Sequence, residues 1–163
     1  MPDERAVELT DAVWAEHSAA LVAVRLAVFV IEQGIPEADE WDGADGGASH
    51  VLARLNRDPV GTGRLEATGK IGRLAVLKAA RGLGIGGLIL TRLLELAQRR
   101  GLDEVFLNAQ MTALHFYDAH GFVAEGAEFD EAGIRHRRMR LAFSAEQRPG
   151  SPPDGSTHGA RFR

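Results

Sequence analysis

The stretch that most restricts what this chain can become is IGRLAVLKAARGLGIGGLILTRLLELAQRR, Ile71 to Arg100. Ile71 to Leu77 reads as an apolar strand. A glycine-rich turn follows, Arg81-Gly82-Leu83-Gly84-Ile85-Gly86-Gly87. From about Gly84 to Arg100 the pattern is helical, with Leu88, Leu93, Leu94 and Ala97 at helical spacing. At a helix start the first backbone N–H groups have no partner, and the helix dipole adds positive potential. A strand, a glycine turn and a helix in that order therefore make a site for a phosphate or pyrophosphate. The glycines permit positive φ and a close approach of ligand to backbone.

Which anion is a separate question. Gly82-Leu83-Gly84-Ile85-Gly86-Gly87 matches G-x-G-x-x-G, the dinucleotide fingerprint, letter for letter. That fingerprint also needs a βαβ unit and an acid at the end of the next strand. Here Asp103 and Glu104 precede the next strand, Val105 to Ala109, so the ribose-binding carboxylate is misplaced. A P-loop is excluded because Gly86-Gly87-Leu88 lacks the lysine and the hydroxyl. A nucleotide-dependent oxidoreductase is disfavoured on these grounds.

At 163 residues the chain has the size of one domain. It has no cysteine, which removes disulfides, zinc–thiolate sites and a thiol nucleophile. Its formal net charge of -4 argues against nonspecific nucleic-acid binding. The longest apolar-rich stretch, Ala19 to Ile31, is interrupted by Arg25, so no membrane span is expected. The N-terminus, MPDERAVEL, has no signal-peptide core, and a cytoplasmic location is the expectation. No histidine spacing suggests a metal site, and no G-x-S-x-G suggests a serine hydrolase.

Along the chain, Ala6 to Leu9 forms a first strand candidate, and Thr10 and Asp11 are helix-cap candidates. Asp11 to Gln33 reads as one helix, stopped by Gly34 and Pro36. Ile35 to His50 is a long acidic, glycine-rich loop, and loops of that length inside a domain are functional or disordered. Its acids, Glu37 to Asp45, suit a cationic acceptor such as a polyamine or a lysine side chain. His50 to Leu55 and Pro59 to Ala67 read as a hairpin around Asn56-Arg57-Asp58. Beyond the opening stretch come the strand at Val105, a short helix from about Met111 to His120, and a hairpin. The hairpin pairs Phe122 to Phe129 with Arg135 to Phe143 around Asp130-Glu131-Ala132-Gly133. The order predicts a mixed, α+β-like α/β domain over residues 1–143, not a doubly wound sheet. The Pro-, Gly- and Ser-rich segment 144–163 is expected to be a disordered tail.

Two independent motifs carry a family resemblance. Arg81-x-x-Gly84-x-Gly86 after a strand resembles the Gln/Arg-x-x-Gly-x-Gly/Ala signature of the GNAT (Gcn5-related) N-acetyltransferases. Ala113, Phe116, Tyr117, Gly121 and Phe122 match the A-x-x-F-Y-x-x-x-G-F pattern near the end of those domains. Three further segments resemble the ElaA/YjcF branch. They are Arg25 to Gln33, Asn108-Ala109-Gln110 and Glu131 to His136. The resemblance covers roughly residues 5 to 143. It implies the GNAT fold, a mostly antiparallel central sheet splayed at the cofactor site and flanked by helices. It also implies an N-acetyltransferase that moves an acetyl group from acetyl-CoA to a primary amine, without metal. A homodimer is common in the superfamily.

Residue by residue, the resemblance implies that backbone groups of Leu74, Ala75 and Val76 hold the pantetheine arm. Arg81 to Gly87 take the pyrophosphate, Arg81 standing where glutamine is commoner. Tyr117, the only tyrosine in the chain, becomes the proton donor to the leaving thiolate. Gln110 stands where many members have an asparagine touching the pantetheine, and it is grouped with the cofactor-binding residues. The chemistry itself asks for a polarised carbonyl, a neutral amine, a proton for the thiolate, and two substrates held together. Positioning alone can be worth roughly 7–11 kcal/mol of barrier. The base that neutralises the amine is open among Glu32, Gln33, Asp42, His50, Glu66 and His136. Glu32, which ends an apolar run, is expected to face the acceptor cleft as the catalytic carboxylate. The rival from another class is a GNAT-fold protein that binds acyl-CoA as a sensor or scaffold and catalyses nothing.

Overall fold

The strands sort into two hydrogen-bonded sheets, and tight turns set the register of both. In the computed structural model residues 6–144 are described, so the expected tail lies outside the described residues apart from Ser144. The first sheet is antiparallel in the order β1 (Val7–Ala12), β2 (Ser49–Leu55), β3 (Asp58–Leu65), β4 (Ile71–Val76). Asn56 and Arg57, with φ of 51° and 76°, form the two-residue turn between β2 and β3. Positive φ at both central positions matches the twist of the flanking strands. Asp58, expected in that turn, pairs with Leu55 instead.

The second sheet has the order β5 (Glu104–Gln110), β7 (Ile134–Ala142), β6 (Val123–Glu131), again antiparallel. Its hairpin turns on Ala132 and Gly133, φ 52° and 77°. Asp130 and Glu131 stay in β6 and pair with Arg135 and Ile134. A shorter turn than the sequence suggests therefore carries Glu131 onto the sheet. The short helix after β5 is α4 (Leu114–Ala119), entered through a 3-10 turn at Met111–Ala113.

Thr10 and Asp11, expected as helix caps, pair with Leu52 and Val51 in β1. The first helix, α1 (Trp14–Arg25), starts later. The His17 ring folds back on its start, Nδ1 accepting from the Val13 amide at 3.0 Å. From Leu26 to Glu32 the winding widens into a π-helix, where an α-helix was expected to run on. The Gln33 amide donates to the carbonyl of Val28, five residues back, at 3.0 Å. Such segments are rare and concentrate at functional sites. A four-residue helix, α2 (Glu37–Glu40), sits in the acidic loop.

Trp14–Glu32 is long and apolar enough, by length and composition, to cross a membrane, a longer reach than the sequence reading gave it. In the fold it behaves as a core helix. Leu21 packs with Ala12 and Leu52, and Val24, Val28 and Phe29 pack with Ala75. Arg25 inside it is wholly buried and ion-paired.

Helix α3 (Ile85–Arg99) buries Ile85, Ile89, Leu90, Leu93, Leu94 and Ala97. Leu88, expected on that stripe, is 45% exposed. The helix lies close over β3, where a Cβ on Gly61 or Gly63 would meet Ile89 at 2.7 Å. The chain divides into two compact units, the boundary falling within α3 after Leu93.

Candidate active site

In the N-terminal unit, β4 is the last strand of its sheet and pairs only with β3 there. Its register breaks between Thr62 and Arg64, leaving Arg73 and Leu74 opposite Gly63. Arg73 has φ of 52° at this bulge. Bulges gather next to active sites because they re-aim the strand beyond them. Leu74, in the bulge, is half-buried; beyond it Ala75 is buried and Val76 half-buried. The chain then makes a 3-10 turn, Lys78–Ala80, and reaches the glycine loop.

Gly82 and Gly84 have φ of 82° and 78°, with open space where a Cβ would stand. Glycine is needed there for conformation, not for room. The first α3 amide taken up by the helix is that of Leu88, which donates to the Gly84 carbonyl at 3.1 Å. The amides before it belong to the helix start, where no turn precedes to receive them. Strand, loop and first helical turn thus form one continuous cradle of the kind expected.

Two predicted site residues meet each other at its mouth. Arg81 donates from Nη1 and Nη2 to the two carboxylate oxygens of Glu32, both at 2.6 Å. Its Nε donates to the Val76 carbonyl at 3.0 Å. The hydrogen bond from Arg81 holds the Glu32 carboxyl below its ordinary range, and Glu32 raises the guanidinium in return. A carboxylate held charged in this way is a weak proton acceptor.

The acidic loop is not a free negative surface. Arg25 donates from Nε to Glu40 at 2.6 Å and from Nη1 to Asp45 at 2.7 Å. Arg64 donates to Asp42 at 2.7 and 3.0 Å, and to Asp45 at 3.1 Å. Arg73 donates to the Glu40 carbonyl at 3.0 Å. Arg25 is also flanked by the Trp14 and Trp41 rings, each 5.6 Å from its guanidinium carbon. Burial works against the charge on Asp42 and Asp45, but hydrogen bonds from these arginines outweigh it and hold both carboxyls down. Glu40 and Asp42 are thus already paired within the protein, which removes them from the expected attraction for a cationic acceptor. Glu66 joins the edge of the same cluster, 3.4 Å from Arg64. His50 is buried beside it, stacked on Trp14 with Nε2 2.9 Å from the Asp45 carbonyl. Burial pushes that imidazole down.

In the C-terminal unit, Tyr117 sits on α4 with its half-buried ring edge-on to Phe116 at 5.1 Å and Phe122 at 5.8 Å. Burial pushes its phenol up, so the hydroxyl keeps its proton at neutral pH. Gln110 ends β5 directly opposite His136 of β7. His136 is buried, stacked on Phe129, with Nδ1 2.7 Å from the Ile134 carbonyl. Its Nε2 stands 3.7 Å from the Glu131 carboxylate.

The arginine cluster was the part sequence reasoning missed. The only trace of it was Arg25 breaking an apolar run, because the arginines and their partners in the acidic loop lie 15 to 33 positions apart. Among the described residues no group of His, Asp and Glu could hold a metal ion.

The family profile of the acetyltransferase (GNAT) domain matches residues 17–143. The uncharacterised N-acetyltransferase YjcF of Bacillus subtilis is 39% identical over 120 residues, covering 71% of this chain and 86% of that protein. The crystal structure of an acyl-CoA N-acyltransferase from Pseudomonas aeruginosa superposes with a TM-score of 0.75 at 34% identity, covering 84% of this chain and 100% of that one. Escherichia coli ElaA superposes with a TM-score of 0.74 at 30% identity, covering 83% and 99% of the two chains.

Proposed function

Because the chain belongs to the GNAT acetyltransferase family, in its ElaA/YjcF-like branch, and is therefore an acyltransferase, we propose that its reaction moves an acetyl group directly from acetyl-CoA to a primary amine. The acceptor is a small molecule or an amine of a protein or peptide. The observation that carries the reading is the cradle of the N-terminal unit: an edge strand with a bulge, then two positive-φ glycines, then a helix start. Its chemistry fits a long polar arm ending in a pyrophosphate. The strand edge offers amides and carbonyls along its length, and the helix start offers N–H groups and positive potential.

When bound, acetyl-CoA supplies the thioester carbonyl that the amine attacks and the thiolate that leaves. The protein's part is to orient, polarise and move protons. Backbone groups of Leu74, Ala75 and Val76 take the pantetheine arm, one N–H polarising the carbonyl. Arg81, Gly82, Leu83, Gly84, Ile85, Gly86 and Gly87 take the pyrophosphate, and Gln110 contacts the pantetheine. Tyr117 gives the thiolate its proton, and the raised phenol keeps that proton in place until it is needed. Glu32 was expected as the base. Held charged by Arg81, it is better assigned to the mouth of the cofactor loop, where it sets how much of the guanidinium's charge a phosphate meets. The cytoplasmic location and the homodimer belong to the same proposal.

The test pairs binding with turnover. Acetyl-CoA is expected to raise the melting temperature, and a panel of primary amines to yield free thiol. Tyr117→Phe should cut turnover by about 100-fold or more while leaving the acetyl-CoA affinity nearly unchanged. An unchanged rate removes Tyr117 from the mechanism. Tight acetyl-CoA binding with no thiol release from any amine would favour the sensor or scaffold instead.

A further inference from the structure

The acidic loop is held by three arginines, and one of them, Arg73, stands in the cradle's own strand. We propose that Arg73 is a positioning residue for the transfer: its clamp on Glu40 and Asp42 holds the bulge of β4 and so sets which way the backbone groups of Leu74, Ala75 and Val76 face. The proposal rests on the acetyl-transfer reading above, and every residue in it belongs to the N-terminal unit. Three observations carry it.

The first is where the strain falls. An L-residue at positive φ carries a steric cost that glycine does not. Among the described non-glycine residues with positive φ, Asn56, Arg57 and Ala132 lie in hairpin turns, and Arg73, at 52°, lies inside a strand. Gly72, one position earlier, does not have positive φ. The unfavourable conformation is thus placed on the residue with the long charged side chain, next to a glycine that could have taken it. Such strain persists only where the surroundings over-determine it.

The second is what over-determines it. Nη2 of Arg73 donates to the Glu40 carbonyl at 3.0 Å and to Oδ2 of Asp42 at 3.3 Å. Its Nε stands 3.2 Å from Oε1 of Glu40, the oxygen that also accepts from the buried Arg25. Oδ2 of Asp42 accepts in addition from Nη2 of Arg64 at 2.7 Å. Arg64 is the β3 residue paired with Gly72, so one carboxylate oxygen ties the two strands together at the edge of the bulge. The Arg73 side chain is 23% exposed, which shelters these contacts from screening.

The third is what the bulge does to the strand beyond it. Arg73 and Leu74 together stand opposite Gly63, and pairing resumes with Ala75 opposite Thr62 and Val76 opposite Gly61. Along a strand, backbone groups alternate between one neighbour and the other. One extra residue shifts that alternation, and so decides which groups past it turn to β3 and which to the free edge. If Arg73 relaxed to an extended conformation, that phase would be lost. Arg73 therefore acts through the backbone, and the acidic loop acts through Arg73.

The test uses the full chain, read by backbone amide NMR without ligand and by thiol release from acetyl-CoA with the primary-amine panel. Arg73→Ala removes the clamp and disfavours positive φ. The amides of Leu74, Ala75 and Val76 should shift, and kcat should fall by about 10–100-fold, with the amine KM and the acetyl-CoA affinity within about 3-fold of wild type. Arg73→Gly removes the same clamp but accepts positive φ, so its kcat should exceed that of Arg73→Ala by about 3-fold or more. Arg73→Lys keeps a charge and a donor and should lie nearest wild type. Asp42→Asn, altered from the loop side, should move the same three amides by a smaller amount. If Arg73→Ala does not fold, Arg73→Gly against Arg73→Lys carries the contrast. Unmoved amides or a wild-type kcat on loss of the side chain overturn the proposal. So do equal losses in Arg73→Ala and Arg73→Gly, which would mark a side chain acting by its charge alone. A wild-type protein that releases no thiol with any amine overturns the acetyl-transfer reading and Arg73's part in it, while the amide shifts still decide whether the clamp holds the bulge.

Discussion

Removing Arg25 tests the part of the structure on which the placement of the acidic loop depends. Its guanidinium is wholly buried and donates to Glu40, Asp45 and the Glu40 carbonyl between two tryptophan rings. Arg25→Met keeps most of the volume and removes the charge, leaving two buried carboxylates short of a partner. Breaking a buried pair from one side costs about 3–5 kcal/mol. Here each carboxylate keeps one other arginine, Arg73 at 3.2 Å from Glu40 and Arg64 at 3.1 Å from Asp45. The expected loss is therefore at the low end, about 3 kcal/mol, or roughly 6–12 °C in Tm for a domain of this size. Arg25→Lys should recover less than half, because an ammonium cannot serve both carboxylates in the fork geometry. Urea unfolding followed by tryptophan fluorescence measures it, with Trp14 and Trp41 as local reporters. The pH dependence has a definite sign. The Asp45 carboxyl is held below its ordinary value of 3.8, so its stabilisation is present above that value and is lost as pH falls through the lower folded value. The variant lacks much of that depression, so the gap to wild type should close in acid. A loss under about 1 kcal/mol, or a gap that widens on acidification, refutes the reasoning.

Two smaller changes probe the cradle. Gly63→Ala should cost about 1–3 kcal/mol, because its Cβ would stand 2.7 Å from Ile89 and 2.8 Å from Leu93 side chains; chemical denaturation reads it, and a neutral result would mean that α3 moves away freely. Glu32→Gln should tighten acetyl-CoA binding in low salt and lose that advantage as salt is added, since it unmasks the Arg81 charge. Calorimetry at two ionic strengths decides, and weaker binding would mean that Glu32 orients Arg81 for the phosphate.

Local patterns were legible and long-range pairings were not. The strand, glycine loop and helix around Gly82–Gly87 could be read because each follows from neighbours within a few positions. The short helix that carries Tyr117 could be read because its motif is contiguous. The helix stripe was misjudged at Leu88, since an apolar residue at a helix start can face outward when the cradle beside it is open. Thr10 and Asp11 looked like caps because cap propensity is local, but pairing with Leu52 and Val51 outweighed it. Nothing in the loop's composition says that Asp42 and Asp45 meet arginines from β3 and α1, because that depends on strands set far apart in sequence. The same holds for Glu32 and Arg81, 49 positions apart, which the sequence assigned to separate tasks.

The wide winding from Leu26 to Glu32 has a consequence for helical phase. In an α-helix, residues seven apart return to nearly the same side, since about 3.6 residues make a turn. Arg25 and Glu32 would then point the same way, both into the core or both out. At roughly 4.4 residues per turn, the i→i+5 pattern turns the second of them through about a third of a revolution relative to that expectation, which carries it to the far side of the helix. One uninterrupted apolar segment can thus keep a guanidinium fully enclosed at one end and present a carboxylate to Arg81 at the other. The sense in which this helix is wound, more than its composition, decides which of its charges the glycine loop meets.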